Sequence, residues 1–183
     1  TLVISIAAGI RCVGLQRWLG SAPLMRAMPN TPALIRQGIT GVFSTHQVNA
    51  QQQALGLSLL QAMGSVVEVA NEKDIDSVTA LSGSGPAYVF AFIEALEAGG
   101  VNLGLTAETA RQLAIQTVMG AAQMALQSPL PPSTLRQNVT SPGGTTAAAL
   151  QILQTGGFNA LIAQALQGAA HRSAELADTY GAQ

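Results

Sequence analysis

The strand-forming pattern of this chain stops near residue 71, and that change limits its fold more than any other sequence feature. Before it, short runs rich in β-branched residues alternate with helix-like stretches, an order typical of an α/β layer. After it, apolar residues recur at helical spacing between Gly and Pro residues. The sequence therefore predicts an α/β domain over residues 1–71, followed by an all-α domain over residues 72–183.

The first domain is expected to contain four strands and two helices. Residues 2–8 have the continuous apolar character of a strand buried on both faces of a parallel sheet. Gly64 is placed as the C-cap of the second helix, and Pro29 with Pro32 predicts a rigid turn. The other predicted strands are 24–28, 39–44 and 66–69, and the predicted helices are 13–19 and 51–63.

The second domain is expected to contain five helices. The first runs from Pro86 to about residue 98, and only Glu94 and Glu97 interrupt its apolar surface, so we expect it to be buried. Thr106 is placed as the cap of a second helix, and Ser133 as the cap of a short third one. The remaining predicted helices, both rich in alanine, are 145–156 and 158–180.

Charge is scarce along the whole chain. Only 9% of the residues are charged, against roughly a quarter in typical soluble domains. So few charges cover a monomer poorly, which favours a large buried interface, most simply a homo-oligomer. The net charge of -1 offers no basic field for nucleic acid or for anionic lipid, so neither is expected as a partner.

The start of the chain and its cysteine content bear on its setting. Cys12 is the one cysteine, so a disulfide framework is excluded, and without a secretory pattern the predicted location is cytoplasmic. The opening apolar run is too short to span a bilayer. Because the chain starts without Met inside that run, we expect it to be a fragment that lacks the front of a domain.

Titrating side chains give little sign of catalysis. His46 follows a predicted strand, and His171 lies on the last helix, and neither has partners at metal-ligand or triad spacing. Glu68, Glu72 and Asp74 are explained by solvation near the domain boundary. A reaction here would therefore rely on a cofactor for its difficult step.

A first glycine-bearing motif, Ser82-Gly83-Ser84-Gly85-Pro86-Ala87-Tyr88, precedes the apolar helix. It fits either a tight turn and cap or part of a ligand site, since Gly permits close backbone approach. No strand precedes it, so it is not a dinucleotide-binding fingerprint.

A second glycine-bearing motif, residues 138–146, gives a sharper signal. Gly143 and Gly144 leave the backbone unshielded, and the first N–H groups of the following helix lack internal partners, so a small carboxylate fits there. The hydroxyls of Ser141, Thr145 and Thr146 add donors. The alternative is an ordinary helix start.

At this motif the sequence resembles the pyrroline-5-carboxylate reductases, nicotinamide-dependent enzymes that complete proline synthesis. Four segments carry the resemblance in the family's order, and together they span nearly the whole chain. They are residues 6–9 (IAAG), 28–32 (MPNTP), 81–88 (LSGSGPAY) and 135–151 (LRQNVTSPGGTTAAALQ).

The resemblance implies a partial Rossmann-like layer over residues 1–71 and a C-terminal helical domain over residues 72–183 that dimerises by interlocking. It implies an obligate homodimer or a ring of dimers, with NADPH or NADH as cofactor and pyrroline-5-carboxylate or proline as ligand. The family's glycine-rich phosphate loop is missing from this chain, so we expect the fragment alone to be inactive.

The resemblance also implies roles for individual residues. Ile6, Ala7 and Ala8 would lie against the nicotinamide end of the cofactor, and Asn30 would border the same cleft. Thr146 would hydrogen-bond the ring nitrogen as the catalytic residue. The substrate would be held by Asn138, Ser141, Gly143, Gly144, Thr145 and Thr146.

Two other functions remain open at this point. One is another dehydrogenase with a Rossmann front and a helical back, such as a hydroxyacid or 6-phosphogluconate enzyme. Such an enzyme would place a catalytic Lys on the helical domain, but the one lysine here is Lys73, at the boundary. The other is a non-enzymatic helical dimer module that uses the Gly-Gly turn only for packing.

Overall fold

The computed structural model describes residues 1–181, which divide into two compact units. The strand unit contains residues 1–86 together with the end of the chain from residue 163, and the helical unit contains residues 87–162. The predicted order, an α/β layer followed by helices, is confirmed.

One four-stranded sheet organises the strand unit. Its strands, in the spatial order β1-β2-β3-β4, are β1 (Val3–Ser5), β2 (Leu24–Met28), β3 (Gly38–Ser44) and β4 (Gly64–Glu68). β1 and β2 are parallel, β3 is antiparallel to β2, and β4 is parallel to β3. The connecting helices are α1 (Cys12–Leu19) and α2 (Ala50–Gln61), with a 3₁₀ turn at Thr31–Ile35.

The core lies on both faces of β2. Successive strand residues point to opposite faces, so Met25 packs with Leu60 of α2, whereas Leu24 packs with Leu15 of α1. Every residue of β2 is buried. β1 was expected to be buried on both faces, but its three residues are half-buried, because within the described chain it forms an edge of the sheet.

Helix α2 begins with a reciprocal cap. The Asn49 side chain accepts from the Gln52 backbone N–H at 2.9 Å, and the Gln52 side chain accepts from the Asn49 N–H at 3.1 Å. The predicted C-cap at Gly64 is wrong, because Ala62 caps the helix. Gly64 instead opens β4 at a φ of 139°, where a Cβ would lie 2.0 Å from the Gly38 carbonyl oxygen.

Three helical segments follow the sheet in close succession. They are α3 (Asp74–Val78), a π-helical turn (Thr79–Gly83) and α4 (Gly85–Asn102). The Ser82–Gly85 motif therefore lies in and just after a π-helical turn, where Ser84 N–H donates to Thr79 O at 2.8 Å. Of the two alternatives for this motif, the tight turn and cap is wrong, because Gly83 lies in a π-helical turn and Gly85 is the first residue of α4.

The helical unit continues with α5 (Ala107–Gln127), α6 (Pro132–Asn138), α7 (Thr145–Thr155) and the start of α8 (Phe158–Gly181). The Thr106 cap is confirmed, because its Oγ1 accepts from Thr109 N–H at 3.2 Å. The Ser133 cap is wrong. Pro131 precedes α6, whose first residue is Pro132, and no side chain caps it.

The helical unit exposes an unusual amount of apolar surface. Among its residues only Ala110 and Ala114 are fully buried. Helix α4 was expected to be buried, yet Val89, Phe90 and Phe92 are 44%, 59% and 43% exposed in the single chain. Soluble monomers rarely expose large contiguous apolar patches, so this surface suits a protein partner.

The end of α8 belongs to the strand unit. Ser173 is buried there, and its Oγ donates to Asp76 Oδ1 of α3 at 2.7 Å. The compact units thus divide after residue 86 and again at residue 163. The domain boundary near residue 71 stays a prediction.

No helix within residues 1–181 is long and apolar enough to cross a membrane.

Candidate functional site

The carboxyl ends of β1 and β2 carry the first group of predicted site residues. These strands are parallel, so Ile6, Ala7 and Ala8 after β1 and Asn30 after β2 leave the sheet at the same edge. In open α/β sheets this edge is where ligands bind. Ile6 is 61% exposed, so it presents an apolar side chain to solvent at that edge.

Asn30 has a partner within the chain. Its Oδ1 accepts from the Ile39 backbone N–H at 2.9 Å, which joins the start of the 3₁₀ turn to β3. Asn30 is therefore already used in shaping the turn that follows β2. Its predicted place beside the cofactor stays a prediction.

The segment between β1 and α1, residues 6–11, is called here the β1–α1 loop. Gly9 lies in it at a φ of 74°, and an added Cβ would stand 3.1 Å from Tyr180 Cδ2 and 3.3 Å from Leu176 Cβ. Arg11 pairs with Asp178 at 3.2 Å. The last turns of α8 therefore pack directly against this loop.

An ion pair between a buried arginine and a partly buried glutamate adjoins the end of the loop, and sequence reasoning missed it. Glu72 Oε1 accepts from the Cys12 backbone N–H at 2.6 Å and lies 3.2 Å from Arg26 Nη1. Arg26 is only 1% exposed. The expectation that solvation explains Glu72 is thus wrong, because a guanidinium inside the core requires a counterion.

The same cluster affects the thiol of Cys12. Burial, followed by the negative charge of Glu72, raises the pKa of Cys12 from 9.0 to about 12. The thiol is therefore neutral at ordinary pH and lacks the thiolate character that a reactive cysteine needs. One sequence signal did exist for this cluster, namely the arginine inside the apolar strand Leu24–Met28.

The second group of predicted site residues forms the start of α7. Gly144 is the N-cap and no side chain caps the helix. The first helical bond at this end runs from Ala148 N–H to Gly144 O at 3.1 Å, so the amides of residues 145–147 precede the helical ladder. Uncapped amides at a helix start attract an anion.

The turn before α7 is compact and open to solvent. Gly143 has a φ of 71° with free space around its missing side chain, and Gly144 N–H donates to Ser141 O at 3.0 Å. Ser141, Gly143 and Thr145 are exposed, and Thr146 is half-buried. Donors therefore converge on an accessible helix end.

Asn138 is placed by the end of α6. It is the last residue of that helix and is exposed. Just after it, Thr140 N–H donates to Gln137 O at 3.0 Å, and Thr140 Oγ1 donates to Arg136 O at 2.6 Å. These bonds close α6 and fix the direction in which the chain enters the Ser141–Thr146 turn.

The structure thus gathers the predicted residues in two groups, one in each unit. Ile6, Ala7, Ala8 and Asn30 lie at one sheet edge of the strand unit. The residues from Asn138 to Thr146 lie on the approach to α7 in the helical unit. A cavity of about 450 Å³ in the helical unit is lined by other residues, among them Arg136, Leu153 and Phe158.

The remaining candidates form no catalytic arrangement. His46 is exposed, and the exposed His171 lies 3.2 Å from Glu175 on the same helix. A hydrogen bond from Arg172 lowers the pKa of Glu175. Within residues 1–181 no cluster of three or more His, Cys, Asp or Glu is arranged to hold a metal ion.

Comparison with known proteins gives one consistent result. The family described as pyrroline-5-carboxylate reductase dimerisation matches residues 72–176. A pyrroline-5-carboxylate reductase of Pseudomonas aeruginosa is 52% identical over 181 residues, covering 98% of this chain and 66% of that protein. One from Arabidopsis thaliana is 43% identical, covering 97% and 64%.

Solved structures agree with this. A pyrroline-5-carboxylate reductase from Coxiella burnetii superposes with a TM-score of 0.93 at 46% identity, covering 96% of this chain and 65% of that one. The Plasmodium falciparum pyrroline carboxylate reductase with NADP bound superposes with a TM-score of 0.89 at 35% identity, covering 97% and 68%. The chain spans slightly less than two thirds of the length of the curated relatives it matches, 64% to 66% in the proteins from Arabidopsis and Pseudomonas.

Proposed function

Because the chain belongs to the pyrroline-5-carboxylate reductase family, we propose that the complete gene product reduces 1-pyrroline-5-carboxylate to L-proline with NADPH or NADH. The single observation that carries this proposal is the uncapped start of α7, where free amides, two glycines and three hydroxyl side chains meet in the open. This is the part of the chain that suits a small carboxylate, and it lies inside the segment that the family matches.

The substrate carboxylate is bound by the helix start. The amides of Thr145 and Thr146 precede the helical ladder, and the helix dipole adds a partial positive charge at the same point. Ser141 and Asn138 supply polar side chains on the approach to the turn. Fixing the carboxylate fixes the face of the ring that receives the hydride, which is the positioning part of catalysis.

Thr146 acts on the ring nitrogen. Reduction adds a hydride to the imine carbon and a proton to the nitrogen, so the C=N double bond becomes the C–N single bond of proline. The Thr146 hydroxyl hydrogen-bonds the nitrogen while its charge changes. Residues 138–146 include no acid, His, Cys or Lys, so the proton comes from water or is already present on an iminium substrate.

The edge of the sheet suits the nicotinamide end of the cofactor. Ile6 supplies an exposed apolar surface, and Ala7 and Ala8 add only methyl groups, so a flat ring can approach the backbone there. When bound, the cofactor supplies the hydride. The relative from Plasmodium falciparum was solved with NADP bound, which supports a nicotinamide cofactor here.

We also propose that the chain forms an obligate homodimer. The apolar side chains of α4 that face solvent in the single chain belong to the segment matched by the dimerisation family. A symmetric dimer would bury this surface twice. A ring of dimers, a cytoplasmic location and the absence of nucleic-acid and membrane partners are further predictions of the same proposal.

The two rival functions receive no specific support. Lys73, the residue that a lysine-dependent dehydrogenase would use, is exposed immediately before α3 in the strand unit. A packing module with no enzymatic role would show no response to proline. Titrating L-proline while following hydrogen exchange at Ser141–Thr146 separates the cases, since the reductase shows protection there and the packing module shows none.

The direct test of the proposal is turnover by the complete gene product. Pyrroline-5-carboxylate should cause loss of NADPH absorbance with L-proline as the product. Absence of proline formation with both NADPH and NADH would overturn the proposal.

A further inference from the structure

Helix α1 has its start capped from a distant part of the chain. Its N-cap residue, Arg11, makes no side-chain cap bond. The first helical amide, that of Cys12, instead donates to Glu72 Oε1 at 2.6 Å, and Glu72 lies 60 positions further along the chain. Glu72 thus does for α1 what a local N-cap side chain ordinarily does.

Arg26 holds Glu72 in this place. Its Nη1 lies 3.2 Å from the same Oε1 atom, and Glu72 is 23% exposed while Arg26 is 1% exposed. Within residues 1–181, Nε and Nη2 of Arg26 have no hydrogen-bond partner. The carboxylate of Glu72 is therefore the group that compensates this buried cation, so its orientation is constrained from the core side.

The β1–α1 loop ends at this cap. Its two ends are anchored, one by β1 and the other by the Cys12–Glu72 bond, and its middle is covered by α8 at Gly9. Ile6, Ala7 and Ala8 leave β1 only a few residues before the capped amide. We therefore expect loss of the hydrogen bond to Glu72 to alter the backbone of these three residues.

We propose that Glu72 is a positioning residue for the β1–α1 loop, holding the backbone that receives the nicotinamide end of the cofactor. This inference rests on the proposed function, because that function places Ile6, Ala7 and Ala8 against the cofactor. Glu72 itself touches no reacting atom. Its effect is expected in cofactor binding rather than in the chemical step.

The test must distinguish two effects of changing Glu72. One is loss of the hydrogen bond from the Cys12 N–H, and the other is the destabilisation caused by leaving the buried Arg26 cation unpaired. Two double variants of the complete gene product do so. Arg26→Met with Glu72→Gln removes the charges and keeps an oxygen that accepts from Cys12 N–H. Arg26→Met with Glu72→Ala removes the charges and the acceptor together. Glu68→Gln, an exposed carboxylate whose side chain accepts from Gln53, is the control for loss of one charge.

The KM for NADPH should be about fivefold to tenfold higher in the double variant with Glu72→Ala than in the double variant with Glu72→Gln. This is the change expected for one hydrogen bond. The kcat of the two should agree within about twofold. Hydrogen exchange at residues 6–12 should rise in the Ala variant, while exchange in β2 and β3 stays the same. The control should leave the KM for NADPH unchanged.

Equal KM values for the two double variants would overturn the inference, as would a rise in exchange spread evenly over the strand unit. The second outcome marks a purely structural role. The dissociation constant for NADPH is measured alongside turnover. If the unmodified protein binds NADPH but forms no proline, the proposed reaction is wrong. The positioning role of Glu72 is then tested by the dissociation constants for NADPH and by hydrogen exchange at residues 6–12.

Discussion

Ser173 Oγ donates a hydrogen bond to Asp76 Oδ1 at 2.7 Å, and both residues are buried. The two residues are 97 positions apart, so this bond ties the end of the last helix to α3, the first helix after the sheet. It also brings the α8 turns that carry Leu176, Asp178 and Tyr180 to the β1–α1 loop. The cofactor side of the proposed site is therefore built from three distant parts of the sequence.

Ser173→Ala should lower the free energy of unfolding by about 1–3 kcal/mol, because it leaves a buried carboxylate oxygen without its donor. Denaturant unfolding at a fixed protomer concentration measures the change. Thr179→Ala, on the exposed side of the same helix, removes a bond to Glu175 O and should cost no more than about 0.5 kcal/mol. Equal losses of unfolding free energy in the two variants would show that the Asp76–Ser173 bond contributes no more to stability than an exposed hydrogen bond.

Gly9→Ala should be more damaging than Gly20→Ala. Both glycines have positive φ angles, 74° and 68°, and Gly20 has a ψ of -153°, so each substitution strains the backbone by roughly 1–3 kcal/mol. Only at Gly9 does the new methyl group meet α8, 3.1 Å from Tyr180, whereas nothing lies within 4 Å at Gly20. The Gly9→Ala variant should have the lower thermal unfolding midpoint and the higher KM for NADPH of the two. Equal values in the two variants would argue against a tight contact between the β1–α1 loop and α8.

Stability should fall with rising pH above about pH 9 because of Cys12. Its pKa is about 12 in the folded protein, so between pH 9 and 12 the unfolded chain loses the thiol proton that the folded chain keeps. Under these conditions the unfolded state binds fewer protons, and the free energy of unfolding decreases. Cys12→Ala should flatten this part of the profile. An unchanged slope in that variant would assign the effect to other groups.

Phe90→Asp should disrupt self-association. Phe90 is 59% exposed in the single chain and lies on the apolar helix α4, and a symmetric interface would lose two aromatic side chains at once. We expect the dimer dissociation constant to rise roughly 100-fold or more. Light scattering at decreasing concentration measures it. Leu34 is 90% exposed and lies outside the segment matched by the dimerisation family, so Leu34→Asp should leave the dimer intact. Equal dissociation of the two variants would contradict the placement of α4 in the dimer interface.

Local sequence signals were sufficient for most of the fold. The alternation of strands and helices before residue 71 and the helical pattern after it follow from residue periodicity, and the Thr106 cap follows from a single side chain. The uncapped start of α7 was equally visible, because glycines followed by hydroxyl residues at a helix start define it without distant contacts.

Other features depend on contacts that no local pattern encodes. Glu72 meets Arg26 and Cys12 across 46 and 60 positions, so its role cannot be read from its own neighbours. The edge position of β1 and the exposure of α4 depend on what packs beside them. The π-helical turn at Thr79–Gly83 replaces a turn that the glycines alone would favour.

Steady-state reduction of pyrroline-5-carboxylate by the Thr146→Ala variant tests most directly whether the start of α7 binds and polarises this substrate. We expect kcat/KM to fall about 10-fold to 100-fold, the loss expected for one hydrogen bond made in the transition state. Thr146→Ser should restore most of it. Thr155→Ala, at the far end of the same helix, should stay within about twofold of the unmodified enzyme. Unchanged kcat/KM in Thr146→Ala would remove this residue from the reaction and contradict the account of the site.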